Sequence, residues 1–159
     1  MESSYINKRR YSKAATEFRY FLKNCMVWTT GGMIMVPIRK NLVEMWNYRS
    51  KCPYKMNAEW ITVHNTANDA PAADEINYMV NNTNTVSFHY AVDDKEIVQG
   101  IPEDRNAWNA GDGNGDGNMR SISIETCFSL SGGERFIQAE KNTAEFVAEI
   151  LKRKGWRCV

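Results

Sequence analysis

The chain has 159 residues and a mass of 18.3 kDa, a length that suits one domain with a buried core and leaves little room for two. Twenty Lys and Arg against 19 Asp and Glu leave a formal charge of +1, so no global field directs the protein to nucleic acid or to anionic lipid. With 43% hydrophobic and 25% charged residues, it fits neither a disordered chain nor a coiled coil.

The basic start (Lys8, Arg9, Arg10, Lys13) is followed by Ala14, Phe18, Phe21, Leu22, Cys25 and Met26 at helical spacings, which predicts an amphipathic helix over residues 12 to 27. Thr29, Thr30, Gly31 and Gly32 break it. The apolar stretch Cys25–Trp28 is too short for the core of a secretory signal. No apolar run reaches the roughly 18–20 residues of a membrane span. The four cysteines, Cys25, Cys52, Cys127 and Cys158, form no Cys-x-x-Cys pair, so neither a zinc knuckle nor a redox motif is signalled.

From Met35 the pattern is mixed α and β. Trp60-Ile-Thr-Val-His64 alternates and is β-branched, predicting a strand that ends on His64. A helix is predicted over Pro71 to Val80, with Asp69 as N-cap and Pro71, Asp74 and Glu75 in its first turn. Val86–Val92 and Glu96–Gln99 read as a hairpin turning at Asp93-Asp94. Residues 109 to 118 read as a Gly-rich loop. Ser121–Phe128 alternates again, with Ile122, Ile124 and Thr126 on one face and Ser123, Glu125 and Cys127 on the other. Thr143, Phe146, Val147, Ile150 and Leu151 mark a last helix, with Lys152, Arg153 and Lys154 in its final turn and Gly155 after it.

Several residues invite a chemical reading. His64, at a strand end, is placed to be a metal ligand, the alternative being a structural histidine. His89, between Phe88 and Tyr90, reads as buried and hydrogen-bonded. Glu125 in an apolar strand is either a general base beside a metal-bound water or a solvated outward carboxylate. Asp112-Gly-Asn-Gly-Asp-Gly117 opens like a calcium loop, but the twelfth position is Ser123 rather than Glu and no helix is expected after it. A substrate-covering loop or a plain connector remains. Trp108 before it is a sugar or peptide platform or a core residue.

Taken together, Trp60–Pro71 (WITVHNTANDAP), Val86–Lys95 (VSFHYAVDDK), Gln99–Pro102 (QGIP), Arg105–Trp108 (RNAW), Gly111–Gly115 (GDGNG) and Ser121–Cys127 (SISIETC) closely resemble the zinc-dependent N-acetylmuramoyl-L-alanine amidases of Gram-positive autolysins and phage or prophage endolysins. The resemblance runs from about Met35 to Gly155, with Ser50–Tyr54 also fitting. It implies an α/β fold in which helices flank a central mixed β-sheet. It further implies a Zn2+ site in a shallow groove and hydrolysis of the amide joining N-acetylmuramic acid to the L-alanine of the stem peptide. On that resemblance His64 is the first zinc ligand, Glu125 the acid–base group, and Asn65, Trp108, Asn109 and Asp112 substrate-binding residues. The expected partner is cell-wall peptidoglycan, with no nucleic acid or membrane, and the expected state is a monomer. Lacking a Sec signal, such a protein stays cytoplasmic until released to the wall.

Two departures accompany the resemblance. Asn109 stands where many relatives have His. The family's second zinc His and its zinc Cys, in a Cys-Pro-His context after the last helix, have no counterpart. Residues 1–34 are therefore expected to lie outside the catalytic domain, and residues 35–159 to be that domain without its C-terminal segment. A hydrolase impaired by loss of two zinc ligands is the first expectation. A non-catalytic peptidoglycan-binding module is the alternative. A substitute set of His64, His89 and Cys127 has the right composition but not the family's placement.

Overall fold

A computed structural model describes residues 36–157; the helix expected over residues 12 to 27 lies outside the described residues. Five strands form one sheet: β1 (Ile38–Lys40), β2 (Trp60–Asn65), β3 (Tyr90–Val92), β4 (Ile97–Gln99) and β5 (Ser121–Thr126), in the order β1-β4-β3-β5-β2. The β3–β4 hairpin is antiparallel and the other pairs are parallel, so the sheet is mixed, as expected. Among the described residues four α-helices accompany it, α1 (Tyr48–Lys51), α2 (Ala72–Asn81), α3 (Asp116–Met119) and α4 (Gly133–Lys154), with a short 3-10 turn, Met45–Asn47, before α1. No helix among the described residues is long and apolar enough to cross a membrane.

Both faces of the sheet are covered at its centre, which is why β3, β4 and β5 are buried along nearly their whole length, whereas the edge strands β1 and β2 are largely exposed or half-buried. Ile76, Met79 and Val80 of α2 pack with Ala91 and Val98 on one face. Phe146, Val147 and Ile150 of α4 pack with Tyr90, Ile97, Ile122 and Ile124 on the other. Each such aliphatic side chain, fully buried, contributes about 1.5–3 kcal/mol. Polar strand residues are buried too and are satisfied locally: Thr62 Oγ1 donates to Ser121 Oγ at 2.7 Å, and Ser121 Oγ to the Gly117 carbonyl at 2.6 Å. The last helix ends as the sequence predicts, at Gly155 with φ 68° and three basic residues in the final turn.

Three local expectations need correction. Asp69 does not cap α2; its Oδ1 accepts from Ser131 N and Oγ, both at 2.9 Å. The helix starts at Ala72 behind Pro71, and the acid that takes the Ala72 N–H at 3.0 Å is Asp93 of the β3–β4 turn. The strand expected from Val86 begins only at Tyr90, because Ser87 N is drawn to the Trp108 carbonyl at 3.0 Å instead of a ladder partner. The loop 109–118 does run into a helix, the short α3. Asp112 prepares it, its carbonyl accepting Gly115 N at 3.0 Å and its Oδ2 accepting Gly117 N at 2.9 Å, which satisfies N–H groups that a helix start leaves open.

Candidate active site

Parallel pairing of β2 with β5 sets His64 opposite Glu125 and Asn65 opposite Thr126. Both strands run the same way, so the two side chains emerge together at the carboxyl end of the sheet, the usual place for a ligand crevice in α/β folds. His64 is half-buried, and its Nε2 is buried with no hydrogen-bond partner. Burial lowers its pKa, while the neighbouring Asn109 amide favours the proton. Burial thus favours the neutral imidazole, the form that donates a lone pair. Burial also pushes the Glu125 carboxyl up to about 8, with Glu75 adding repulsion.

Glu75 is the residue that sequence reading passes over. It is the helix-start acid that the sequence predicts, and it is also half-buried, on the side of α2 that carries Ala72, Ile76 and Met79. Burial raises its pKa, and Asn68 Nδ2 donates to its carboxylate. The signal lay in the spacing of Ala72, Ile76 and Met79, which puts position 75 on their side of the helix.

The segment after β4 supplies the other wall. Trp108 is half-buried; its N–H donates to Ser87 Oγ at 2.8 Å, and Ser87 Oγ donates to the Lys51 carbonyl at 2.6 Å. Asn109 is fixed through its backbone N–H on Asn118 Oδ1 at 2.8 Å and its Nδ2 on the Ala107 and Gly117 carbonyls at 3.2 Å. Its Oδ1 is left buried and unpartnered, like the His64 Nε2 beside it. Asn65 is exposed at the end of β2. Asp112 is turned into its own loop on the α3 amides and is not brought to His64 and Glu125.

His89 is fully buried. Ser123 N–H donates to its Nδ1 at 3.0 Å, so Nδ1 is the bare nitrogen and Nε2–H donates to the Arg105 carbonyl at 2.9 Å. Burial pulls its pKa from 6.5 to about 4. The stability this neutral ring confers is complete above pH 6.5 and is lost as pH falls through about 4, a loss of about 3 kcal/mol. Urea titrations from pH 7 to pH 4 should show that decline, and a His89→Gln variant should flatten it; an unchanged slope would mean His89 is not the group responsible.

A catalytic zinc uses three protein ligands and a water. His64 Nε2 is a fitting donor, but among the described residues no group of three or more His, Cys, Asp or Glu side chains is arranged to hold a metal ion. His89 is committed to Ser123 and Arg105, and Cys127 is a buried free thiol. The described residues do not make a zinc centre.

The sequence of residues 54–158 matches the family described as N-acetylmuramoyl-L-alanine amidase. Over 122 residues the chain is 56% identical to the N-acetylmuramoyl-L-alanine amidase XlyB and 57% identical to the N-acetylmuramoyl-L-alanine amidase CwlA, both of Bacillus subtilis. These matches cover 76% of this chain but 38% and 45% of those proteins. Among solved structures, that of PlyL superimposes with a TM-score of 0.74 at 55% identity, over 76% of each chain. The catalytic domain of XlyA does so with a TM-score of 0.69 at 37% identity, over 76% of this chain and 78% of that one. The chain belongs to the N-acetylmuramoyl-L-alanine amidase family, and it spans less than half the length of these two curated relatives.

Proposed function

We propose that residues 35–159 form the catalytic domain of a peptidoglycan hydrolase that cleaves the amide between N-acetylmuramic acid and L-alanine at the cell wall, residues 1–34 lying outside it. The observation that carries the reading is the pairing of His64 with a half-buried Glu125 at one end of the sheet. As carboxylate, Glu125 accepts a proton from water as the water oxygen attacks the lactyl carbonyl carbon. It returns that proton to the L-alanine nitrogen as the C–N bond breaks. Burial makes the carboxylate costly and therefore a strong base for the first transfer. His64 Nε2 and Asn109 Oδ1 offer hydrogen-bonding capacity to the reacting groups, Trp108 and Asn65 flank the groove, and Asp112 shapes the loop beside it. Zinc is the metal that the family resemblance implies. His64 would be one of its ligands, and one imidazole alone is not a zinc site.

That single donor also favours a second reading, a peptidoglycan-binding module without hydrolysis. Zinc retained by the purified chain after dialysis is expected to fall well below one ion per chain and to disappear in His64→Ala, measured by atomic absorption. Wall lysis that Glu125→Ala abolishes would support the hydrolase, whatever the zinc content. Wall binding in a pull-down, with no release of L-alanine amino termini at any added zinc concentration, would select the module.

A further inference from the structure

One exposed aromatic beside the site has no role in the chemistry above. Tyr54 is 50% exposed, although its ring meets Trp108 edge-on, the centroids 6.2 Å apart and the planes at 83°. Its backbone is anchored on both sides. Tyr54 N–H donates to Asn106 Oδ1 at 2.9 Å, and Asn106 N–H donates to the Tyr54 carbonyl at 3.0 Å. Arg105 holds the preceding residues, Nε on the Cys52 carbonyl at 2.6 Å and Nη2 on the Pro53 carbonyl at 2.8 Å. Arg105 is itself fixed by the His89 ring through its carbonyl at 2.9 Å and lies 4.4 Å over the Tyr48 ring. A half-exposed aromatic on so rigid a base is pre-organised for contact, since little freedom remains to be lost on binding.

Its position and charge environment say what it contacts. Trp108 leads directly into Asn109, which lies against His64, so the Tyr54–Trp108 ring pair adjoins the segment that reaches His64. The charges around Tyr54 are already engaged: Lys55 with Asp104, and Arg105 with the Cys52 and Pro53 carbonyls. The wall therefore presents apolar ring faces and one phenol hydroxyl, the Arg105 charge being turned inward onto backbone carbonyls and the Tyr48 ring. That matches the C–H face and hydroxyls of a sugar better than a carboxylate-bearing peptide. We propose that Tyr54 is a specificity-determining residue that, with Trp108, seats the pyranose ring of N-acetylmuramic acid. This rests on the muramoyl-amide reading of the groove.

The test uses the whole chain carrying Glu125→Gln, which keeps ligands intact, and calorimetric titration with two probes: N-acetylmuramoyl-L-alanyl-D-isoglutamine and the sugarless L-alanyl-D-isoglutamine. Tyr54→Ala is expected to weaken binding of the muramoyl probe about 3- to 10-fold, the worth of one aromatic contact, with the sugarless probe unaffected. Tyr54→Phe should stay close to the parent, and the exposed position should leave the thermal midpoints of both variants unchanged. Equal losses for both probes, or none for the muramoyl probe, would overturn the role of Tyr54 while the reading of the groove stands. A parent chain that binds neither the muramoyl probe nor purified cell walls overturns that reading and the role of Tyr54 with it.

Discussion

Replacing Glu125 with alanine is expected to slow release of L-alanine amino termini from purified cell walls by about 10²- to 10⁴-fold, the usual worth of a positioned acid–base group. The same change is expected to raise stability by up to about 1 kcal/mol, because no hydrogen bond among the described residues holds this half-buried carboxyl, and desolvation of a polar group without a partner is costly. Glu75, whose charge pushes the Glu125 carboxyl up, would be relieved as well. Opposite signs for activity and stability mark a side chain kept for chemistry. Amine quantification on digested walls and a thermal melt read the two effects separately. A variant that loses both activity and stability would make Glu125 a structural member. A variant as active as its parent would remove it from the mechanism.

Asp93→Ala should cost about 2–4 kcal/mol, read by chemical denaturation at neutral pH. The carboxylate is buried and accepts from Ala72 N at 3.0 Å through Oδ2, and from Lys95 N at 2.7 Å and Glu96 N at 2.8 Å through Oδ1. Water can replace it at the exposed Lys95, but Ala72 is fully buried, and an orphaned buried N–H costs about 1–3 kcal/mol. A further amount, about 0.3–1 kcal/mol, is lost when a negative charge leaves a helix N-terminus. Asp93→Asn separates the two jobs. Its Oδ1 can still serve the β3–β4 turn, while its amide turns a donor toward Ala72 N–H, so most of the loss should persist. An Asn variant as stable as the parent would show that the turn, not the helix, depends on this residue.

Asp93 illustrates what the sequence could and could not disclose. The helix over residues 72–81 was legible from its stripe and early acids, and β2 and β5 from their alternation, because these depend on neighbours in the chain. The cap was misplaced at Asp69 because the residue that fills it is brought by the sheet from outside the local window. The strand expected over 86–92 was overlong for the same reason: Ser87 spends its N–H on the Trp108 carbonyl, a residue distant in the chain, rather than on a ladder partner. His64 and Glu125 were legible as candidates through a strand end and an acid in apolar surroundings. Their meeting was not, since register between distant strands leaves no mark on either segment. Tyr54 was invisible, an aromatic after Pro53 in a stretch without periodicity.

The His64–Glu125 pairing depends on strand register and on no bond between the two side chains. Such an arrangement is indifferent to the length of the loops between β2 and β5 and intolerant of a one-residue slip in either strand, which turns every side chain to the opposite face. Insertions and deletions in a gene of this kind should therefore be tolerated in the stretch around residues 82–86, between α2 and β3. They should be absent from residues 60–65 and 121–126, whatever the identities of the residues there.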